Sequence, residues 1–176
     1  MRSLLHPCLA HYKLAFITYC RPILEYCSQV WSPYKKCDIH TVEKVQKFFT
    51  KIAFRKIFPG PFSPGYTERL RIFHLESLEY RRSILDLTLC YKIVNGLSDI
   101  QFQQIFDWGP IQHRRPNSLQ LARKVCSKNT ALHWFSFRTV RVWNQLPQNI
   151  VGAQTLGTFK KRLKNFDLNT IENFSF

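Results

Sequence analysis

Proline and glycine divide this chain into segments of helical length, and this division constrains the fold more than any other feature. The main interruptions lie at residues 59–65, 95–96 and 107–118 and at Pro147. Between them, apolar residues recur every three or four positions, which is the period of a helix with one buried side. The sequence therefore predicts a mainly α-helical, bundle-like single domain. A weakly alternating segment adds one small β element near residues 117–127.

The first half of the chain predicts two long helical segments. The first covers residues 9–30, and Pro22 should kink or break it near Arg21, because proline lacks an N–H donor and disfavours helix at the preceding residue. The second covers residues 39–57, with Asp38 as its N-cap. Its buried face is expected to consist of apolar residues spaced by three and four positions, namely Val42, Val45, Phe49 and Ile52.

Later helices are marked by their caps. A short helix is expected over residues 66–73, and longer helices begin at Ser77 and at Thr155. Residues 134–146 alternate like a strand but also fit a helix, and a helix ended by Pro147 is favoured. Asn95-Gly96 should end the Ser77 helix, since glycine tolerates a left-handed backbone. The tail after Asp167 is expected to be frayed. The chain is therefore expected to consist of two regions that pack as one unit. They are a helical region over residues 1–106 and an extension over residues 107–176.

The charge balance is strongly positive. The chain contains 26 Lys and Arg against 11 Asp and Glu, which gives a net charge of +15. Such an excess favours an anionic partner, and nucleic acid is the commonest one. An anionic membrane surface and simple solubility are the alternatives. Because no apolar run is long enough to span a bilayer, we expect no membrane insertion.

Clusters of cations indicate where nucleic acid would bind. They are Lys44, Lys47, Lys51 and Arg55 on one predicted helix, Arg114 and Arg115 in a loop, and Lys160, Lys161 and Lys164 near the end. Regularly spaced lysine supplies charge but little recognition of base edges, so contact with the phosphate backbone is expected. The alternative is a set of solvated helix faces.

Metal binding is not favoured by the cysteine and histidine pattern. Cys8-x-x-His11 and Cys37-x-x-His40 have ligand-like spacing and could in principle build a zinc site. Buried, free thiols are the simpler interpretation, because cysteine behaves as a small apolar residue and no secretory signal is evident. We therefore expect no metal and no cofactor.

Catalytic patterns are also not evident. Metal-dependent phosphoryl chemistry requires clustered carboxylates, and the aspartates are scattered through the chain. The sequence contains no nucleophile elbow and no glycine-rich phosphate loop. We expect no catalytic residue, no small-molecule substrate and no enzyme activity of this chain by itself.

An ordered series of motifs runs along most of the chain. It consists of RPILEYC (21–27), VWSPY (30–34), VEKVQ (42–46), YTERL (66–70), LESLEYRR (75–82), YKIVNGL (91–97), VWNQLP (142–147) and TFKKRL (158–163). In order and spacing, residues 12–163 resemble the segment downstream of the polymerase palm in non-LTR (LINE-type) retrotransposon reverse transcriptases, of the jockey and chicken-repeat kind. Each motif alone is weak, whereas the ordered series is specific.

The resemblance implies a thumb region and the extension that follows it, which in that family grip the template–primer duplex. The family's fingers, its palm with paired aspartates and its endonuclease lie upstream of the matched segment, so no catalytic residue carries over. The expected function is sequence-independent nucleic-acid binding by a truncated reverse-transcriptase-derived protein, in the nucleus or the cytoplasm.

Two other functions stay open at this point. One is a structural or protein-interaction remnant, in which tryptophans that once packed against the palm are partly exposed; these would be Trp31, Trp134 and Trp143. The other is a polymerase whose palm is supplied by a separate chain.

Overall fold

The computed structural model describes residues 8–110, 118–125 and 129–171, and over these residues the predicted mainly α-helical fold is confirmed. The α-helices are α1 (Leu9–Ala15), α2 (Arg21–Glu25), α3 (Ser28–Trp31), α4 (Lys36–Ile57), α5 (Tyr66–Phe73), α6 (Leu78–Val94), α7 (Phe102–Ile105), α8 (Phe135–Trp143), α9 (Gln148–Val151) and α10 (Leu156–Asn165). A π-helical turn covers Phe16–Cys20, and 3-10 turns cover Asn129–His133 and Leu168–Thr170.

Contacts between Cα atoms group the chain into two compact units. Unit 1 is Met1–Arg82 and unit 2 is Ser83–Phe176, so the division falls inside α6. The sequence predicted a boundary between two regions near residue 106. The two compact units do not test that boundary, which stays a prediction.

The helix that begins unit 1 loses its regular hydrogen bonding just before Pro22. Within the π-helical turn, the N–H of Arg21 donates to the carbonyl of Phe16, five residues earlier. A proline ring in a helix crowds the carbonyl four residues before it, here that of Thr18, and a wider turn relieves this crowding. The predicted interruption near Arg21 takes the form of a π turn, through which the helical backbone continues. The helix predicted over residues 9–30 ends earlier, at Glu25, since Cys27 has a φ of 50° and α3 begins after it.

The start and the buried side of α4 differ from the predictions. Its N-cap is Lys35, so Asp38 lies in the first turn and does not cap the helix. Val45 and Ile52, expected in the core, are 44% and 42% exposed. The buried positions of α4 are mostly polar, namely Glu43, Gln46, Thr50, Ala53 and Phe54.

A buried hydrogen-bond network explains this orientation of α4. The Glu43 carboxylate accepts the backbone N–H of Leu78 at 3.1 and 3.2 Å and also the hydroxyl of Tyr66. Nε2 of Gln46 donates to the Tyr66 hydroxyl and to the Glu76 carbonyl, both at 2.9 Å. Since buried polar groups are costly without partners, these bonds keep the polar side of α4 inside.

Arg69 of α5 extends the network along α4. Its guanidinium donates to Thr50 Oγ1 at 3.3 Å, to the Pro64 carbonyl at 2.6 Å and to the Lys47 carbonyl at 3.3 Å. Burial lowers the pKa of Arg69. Burial also raises the pKa of Tyr66, and its hydrogen bond to Glu43 adds to the rise. Apolar packing of Ala53, Phe54 and Phe73 continues the unit 1 core beyond these polar residues.

Unit 2 buries apolar residues in the expected manner. The rings of Tyr91 and Phe159 are stacked at 4.3 Å, and the Tyr91 hydroxyl donates to the Ala153 carbonyl at 2.6 Å. Leu163, one turn after Phe159, is fully buried. The predicted inward face of the last helix is confirmed at these two positions.

A buried ion pair joins α6 to α8 within unit 2. Nε and Nη2 of Arg138 donate to the two carboxylate oxygens of Asp86 at 2.8 and 3.2 Å. The third nitrogen, Nη1, donates to the His133 carbonyl at 2.8 Å. This bidentate geometry compensates the charges for their loss of water.

The expected β element is reduced to one isolated antiparallel bridge between Trp108 and Leu121, since residues 118–125 form no strand. Residues 117, 126 and 127 lie outside the described part of the chain. The Asn144 side chain makes the hydrogen bonds that a neighbouring strand would make. It accepts the Leu121 N–H at 2.9 Å and donates to the Leu121 carbonyl at 2.8 Å.

Most predicted helix ends are confirmed. Ser77 accepts the N–H of Tyr80 at 3.2 Å, and Thr155 accepts the N–H of Thr158 at 3.1 Å, as N-caps do. Gly96 has φ of 64° just after α6. The tail prediction was wrong up to Ile171, because Leu168 and Ile171 are buried. Ile171 directly follows the final 3-10 turn, and its N–H donates to the Leu168 carbonyl at 3.0 Å.

Candidate nucleic-acid interface

The solvent side of α4 carries the clearest cationic surface of unit 1. Lys44, Lys51 and Arg55 are exposed on it. Lys44 and Arg55 are eleven residues apart, which corresponds to roughly 16 Å along a helix. We call these three side chains the α4 cation row.

The α4 cation row has no carboxylate partner among the residues that the structure describes. Four acids of unit 1 are used elsewhere: Glu25 and Glu76 pair with Arg81, Glu68 pairs with Arg71, and Glu43 is buried in the network. Of the other two, Asp38 contacts Cys37 and Glu79 lies in the first turn of α6. The Glu25 hydrogen bond raises the pKa of Arg81. The positive charge of the row is therefore not neutralised by neighbouring side chains.

Lys47, the fourth predicted residue on this helix, lies in a different environment. It is half-buried, with Nζ 3.1 Å from Nε2 of His40 and 5.2 Å from the centre of the Tyr66 ring. Its ammonium group already has a hydrogen-bonding nitrogen and an aromatic face as neighbours. Lys47 is thus less available for a phosphate than the α4 cation row.

The other predicted cations are distributed differently. Lys160, Lys161 and Lys164 are exposed on α10 in unit 2, on turns that bury Phe159 and Leu163. Arg162, between them, donates to the Asn149 carbonyl. Arg114 and Arg115 lie outside the described residues. The nine predicted binding residues therefore fall into an α4 group, an α10 group and a loop pair without a described position.

Sequence reasoning missed the apolar residues on the solvent side of α4. Phe48 is 67% exposed and lies among Val45, Ile52 and the α4 cation row. A usable signal was present, because Glu43, Gln46 and Thr50 repeat at the same three- and four-residue spacing as the apolar positions. Two competing periodic faces occur on this helix, and the polar one is buried.

The cysteine and histidine pairs do not come together in the described residues. Cys8 Sγ lies 3.0 Å from His11 Nδ1, whereas Cys37 Sγ contacts an Asp38 oxygen at 3.6 Å. No group of three metal-ligating side chains occurs in the part of the chain that is described. Cys8, Cys27 and Cys37 are exposed free thiols, so the expectation of buried cysteines was wrong for them. Cys90 is buried, which raises its pKa.

The tryptophans differ in exposure. Trp31 and Trp134 are 40% and 62% exposed, whereas Trp143 is fully buried and donates its Nε1–H to the Leu119 carbonyl at 2.8 Å. Trp31 belongs to unit 1 and Trp134 to unit 2. Each unit therefore presents an aromatic surface that its own residues do not cover.

No protein-family model, no curated protein and no solved structure matches this chain. Within the described residues, no helix has both the length and the apolar character required to cross a bilayer.

Proposed function

We propose that this protein binds the phosphate backbone of nucleic acid without sequence preference, through the α4 cation row. The observation that carries the proposal is the exposure of Lys44, Lys51 and Arg55 on one side of a 22-residue helix, with no carboxylate partner among the described residues. Three unneutralised cations along one line favour a regularly charged polyanion.

The buried network supports the proposal because it fixes which side of α4 faces solvent. Glu43, Gln46 and Thr50 hold the opposite side of the helix inside unit 1. The cation row is thereby presented on a rigid helix, which lowers the entropy lost when phosphates bind.

The motif series supports an origin in the thumb region of a non-LTR retrotransposon reverse transcriptase. In that origin the natural partner is a template–primer duplex, and the chain contributes binding without catalysis. Lysine and arginine at fixed spacing would contact phosphates and leave base edges unread, so the affinity should vary little with sequence.

The test is fluorescence anisotropy with a labelled RNA–DNA hybrid duplex at several salt concentrations. Each phosphate neutralised contributes about −0.9 to the slope of log affinity against log salt for a duplex. The triple variant Lys44→Gln/Lys51→Gln/Arg55→Gln should reduce this slope by up to about three such increments.

A matched control removes the three α10 lysines, as Lys160→Gln/Lys161→Gln/Lys164→Gln. This control lowers the net charge by the same amount as the α4 triple variant. If both variants lose the same binding affinity, binding depends on total charge and a site on α4 is contradicted. Binding with no salt dependence would contradict backbone contact altogether.

The second candidate is a protein-interaction remnant, and the exposed rings of Trp31 and Trp134 favour it. Exposed aromatic surface of this kind marks an interface or a tendency to associate. This candidate predicts concentration-dependent association in sedimentation experiments and binding of an apolar dye. A monomer that binds no dye would exclude it.

A further inference from the structure

Phe48 is an exposed aromatic ring directly beside the α4 cation row. It follows Lys44 by four residues and precedes Lys51 by three, and residues at these spacings are neighbours on a helix surface. Arg55 follows Lys51 by four residues and continues the line. The ring thus lies between two cations, on the side of α4 that the buried network turns outward.

Phe48 is 67% exposed and therefore contributes little to the core of unit 1. Phe49, its neighbour in sequence, packs against Phe16 with ring centres 4.9 Å apart, whereas Phe48 has no ring partner in the described chain. Val45 and Ile52, three residues before it and four after it, flank the ring with aliphatic groups. One edge of this surface is cationic and the other apolar, with Phe48 between them.

We propose that this surface binds single-stranded nucleic acid, with phosphates on the α4 cation row and the face of an unpaired base stacked on Phe48. The inference rests on the proposed function and adds to it the unpaired part of the substrate. In a duplex each base face is covered by the next base pair, so an exposed ring gains little from it. An unpaired base offers a free face, and stacking on it tolerates any sequence.

The same surface has a chemical preference among anionic partners. Lys44 and Lys51 lie about two helical turns apart, with the Phe48 ring between them as one stacking position, and Arg55 follows Lys51 after about one more turn. A strand end or a short gap beside a duplex would present both features together. Binding of an anionic lipid surface through the same side chains is the competing outcome.

The test compares a labelled oligo(dT) strand with the RNA–DNA hybrid duplex, using the full chain and its Phe48→Leu and Phe48→Trp variants. Leucine keeps the apolar bulk and a high helix propensity while removing the aromatic face. We expect Phe48→Leu to weaken oligo(dT) binding about tenfold and duplex binding less than twofold, since one stacked base contributes roughly this much. Phe48→Trp should retain or strengthen oligo(dT) binding.

Phe62→Leu is the matched control, because Phe62 is also exposed but contacts Phe54, on the buried side of α4. It should leave both affinities unchanged. Equal effects of Phe48→Leu on strand and duplex, or no effect on either, would overturn the inference. Binding to phosphatidylserine vesicles that is lost in Phe48→Leu, without oligo(dT) binding, would overturn it in favour of a lipid surface.

The two proposals fail in distinguishable ways. If the triple variant of Lys44, Lys51 and Arg55 binds both nucleic acids as the natural chain does, the proposed function fails. If the triple variant loses binding and Phe48→Leu does not, the proposed function survives and only the stacking inference fails.

Discussion

The two basic helices, α4 and α10, bury side chains of opposite character. On α10, Phe159 and Leu163 are buried and the lysines are exposed, as apolar periodicity predicts. On α4, Glu43 and Gln46 are buried, whereas Phe48 is largely exposed. Apolar periodicity therefore identifies the buried side of a helix only where no polar network competes for the interior.

The largest effect should come from the helix that follows the pattern. Phe159→Ala removes a ring that is stacked on Tyr91 and fully buried, and we expect it to lower the free energy of unfolding by about 3–5 kcal/mol. Chemical denaturation measures this change. Lys160→Ala, the adjacent exposed position, should change stability by less than about 0.5 kcal/mol. A small effect of Phe159→Ala would show that α10 is not held by its apolar side.

Glu43→Gln tests the polar side of α4. The variant keeps the shape of the side chain but loses the charge that accepts the Leu78 N–H and the Tyr66 hydroxyl. We expect a loss of about 2 kcal/mol in the free energy of unfolding. Glu68→Gln, which breaks only an exposed pair with Arg71, should cost well under about 1 kcal/mol. Similar values for the two variants would mean that the network does not orient α4.

The same network makes stability depend on alkaline pH. The folded pKa of Tyr66 is raised by burial and by Glu43, so its stabilising contribution is complete below the unfolded value of about 10. That contribution is lost as pH rises above this value, because only the unfolded chain then releases the proton easily. Tyr66→Phe should show a shallower stability decline between pH 9 and 11, a range of about one unit on each side of that value. If the stability of the Tyr66→Phe variant and that of the natural chain declined equally with pH, the contact between Tyr66 and Glu43 would be contradicted.

Ile52→Gln should have the smallest effect. Because Ile52 is on the solvent side of α4, we expect a change within about 0.5 kcal/mol. The matched isoleucine is Ile150 of unit 2, which is buried, and Ile150→Gln should cost more than about 2 kcal/mol. If Ile52→Gln lowered the free energy of unfolding as much as Ile150→Gln, Ile52 would be buried, as the sequence predicted for α4.

Much of the helical framework could be predicted because its signals are local. Proline, glycine and capping residues act within a few positions, and Ser77, Thr155 and Gly96 fulfil the predicted roles. The orientation of α4 could not be predicted in this way. It depends on Tyr66 and Leu78, which lie 23 and 35 residues from Glu43 and are brought to it only by the fold.

The candidate site was predictable to a similar extent. Charge spacing predicted the exposed positions of Lys44, Lys51 and Arg55, since a charged side chain without a partner is costly to bury. It also included Lys47, whose contact with the Tyr66 ring depends on residues outside α4. Phe48 was not identified, because the sequence analysis followed the spacing of Val42, Val45, Phe49 and Ile52, and Phe48 is not in that series.

The Glu43 contact has a practical consequence for work with fragments. The residues that hold the polar side of α4 inside come from α5, from Glu76 in the segment between α5 and α6, and from Leu78 at the start of α6. A synthetic peptide with the α4 sequence would lack them, and its Val45, Phe49 and Ile52 would be free to drive self-association. Such a peptide would carry every cation of the proposed interface. The side of the helix that faces a ligand would nevertheless differ from the one that the intact chain exposes.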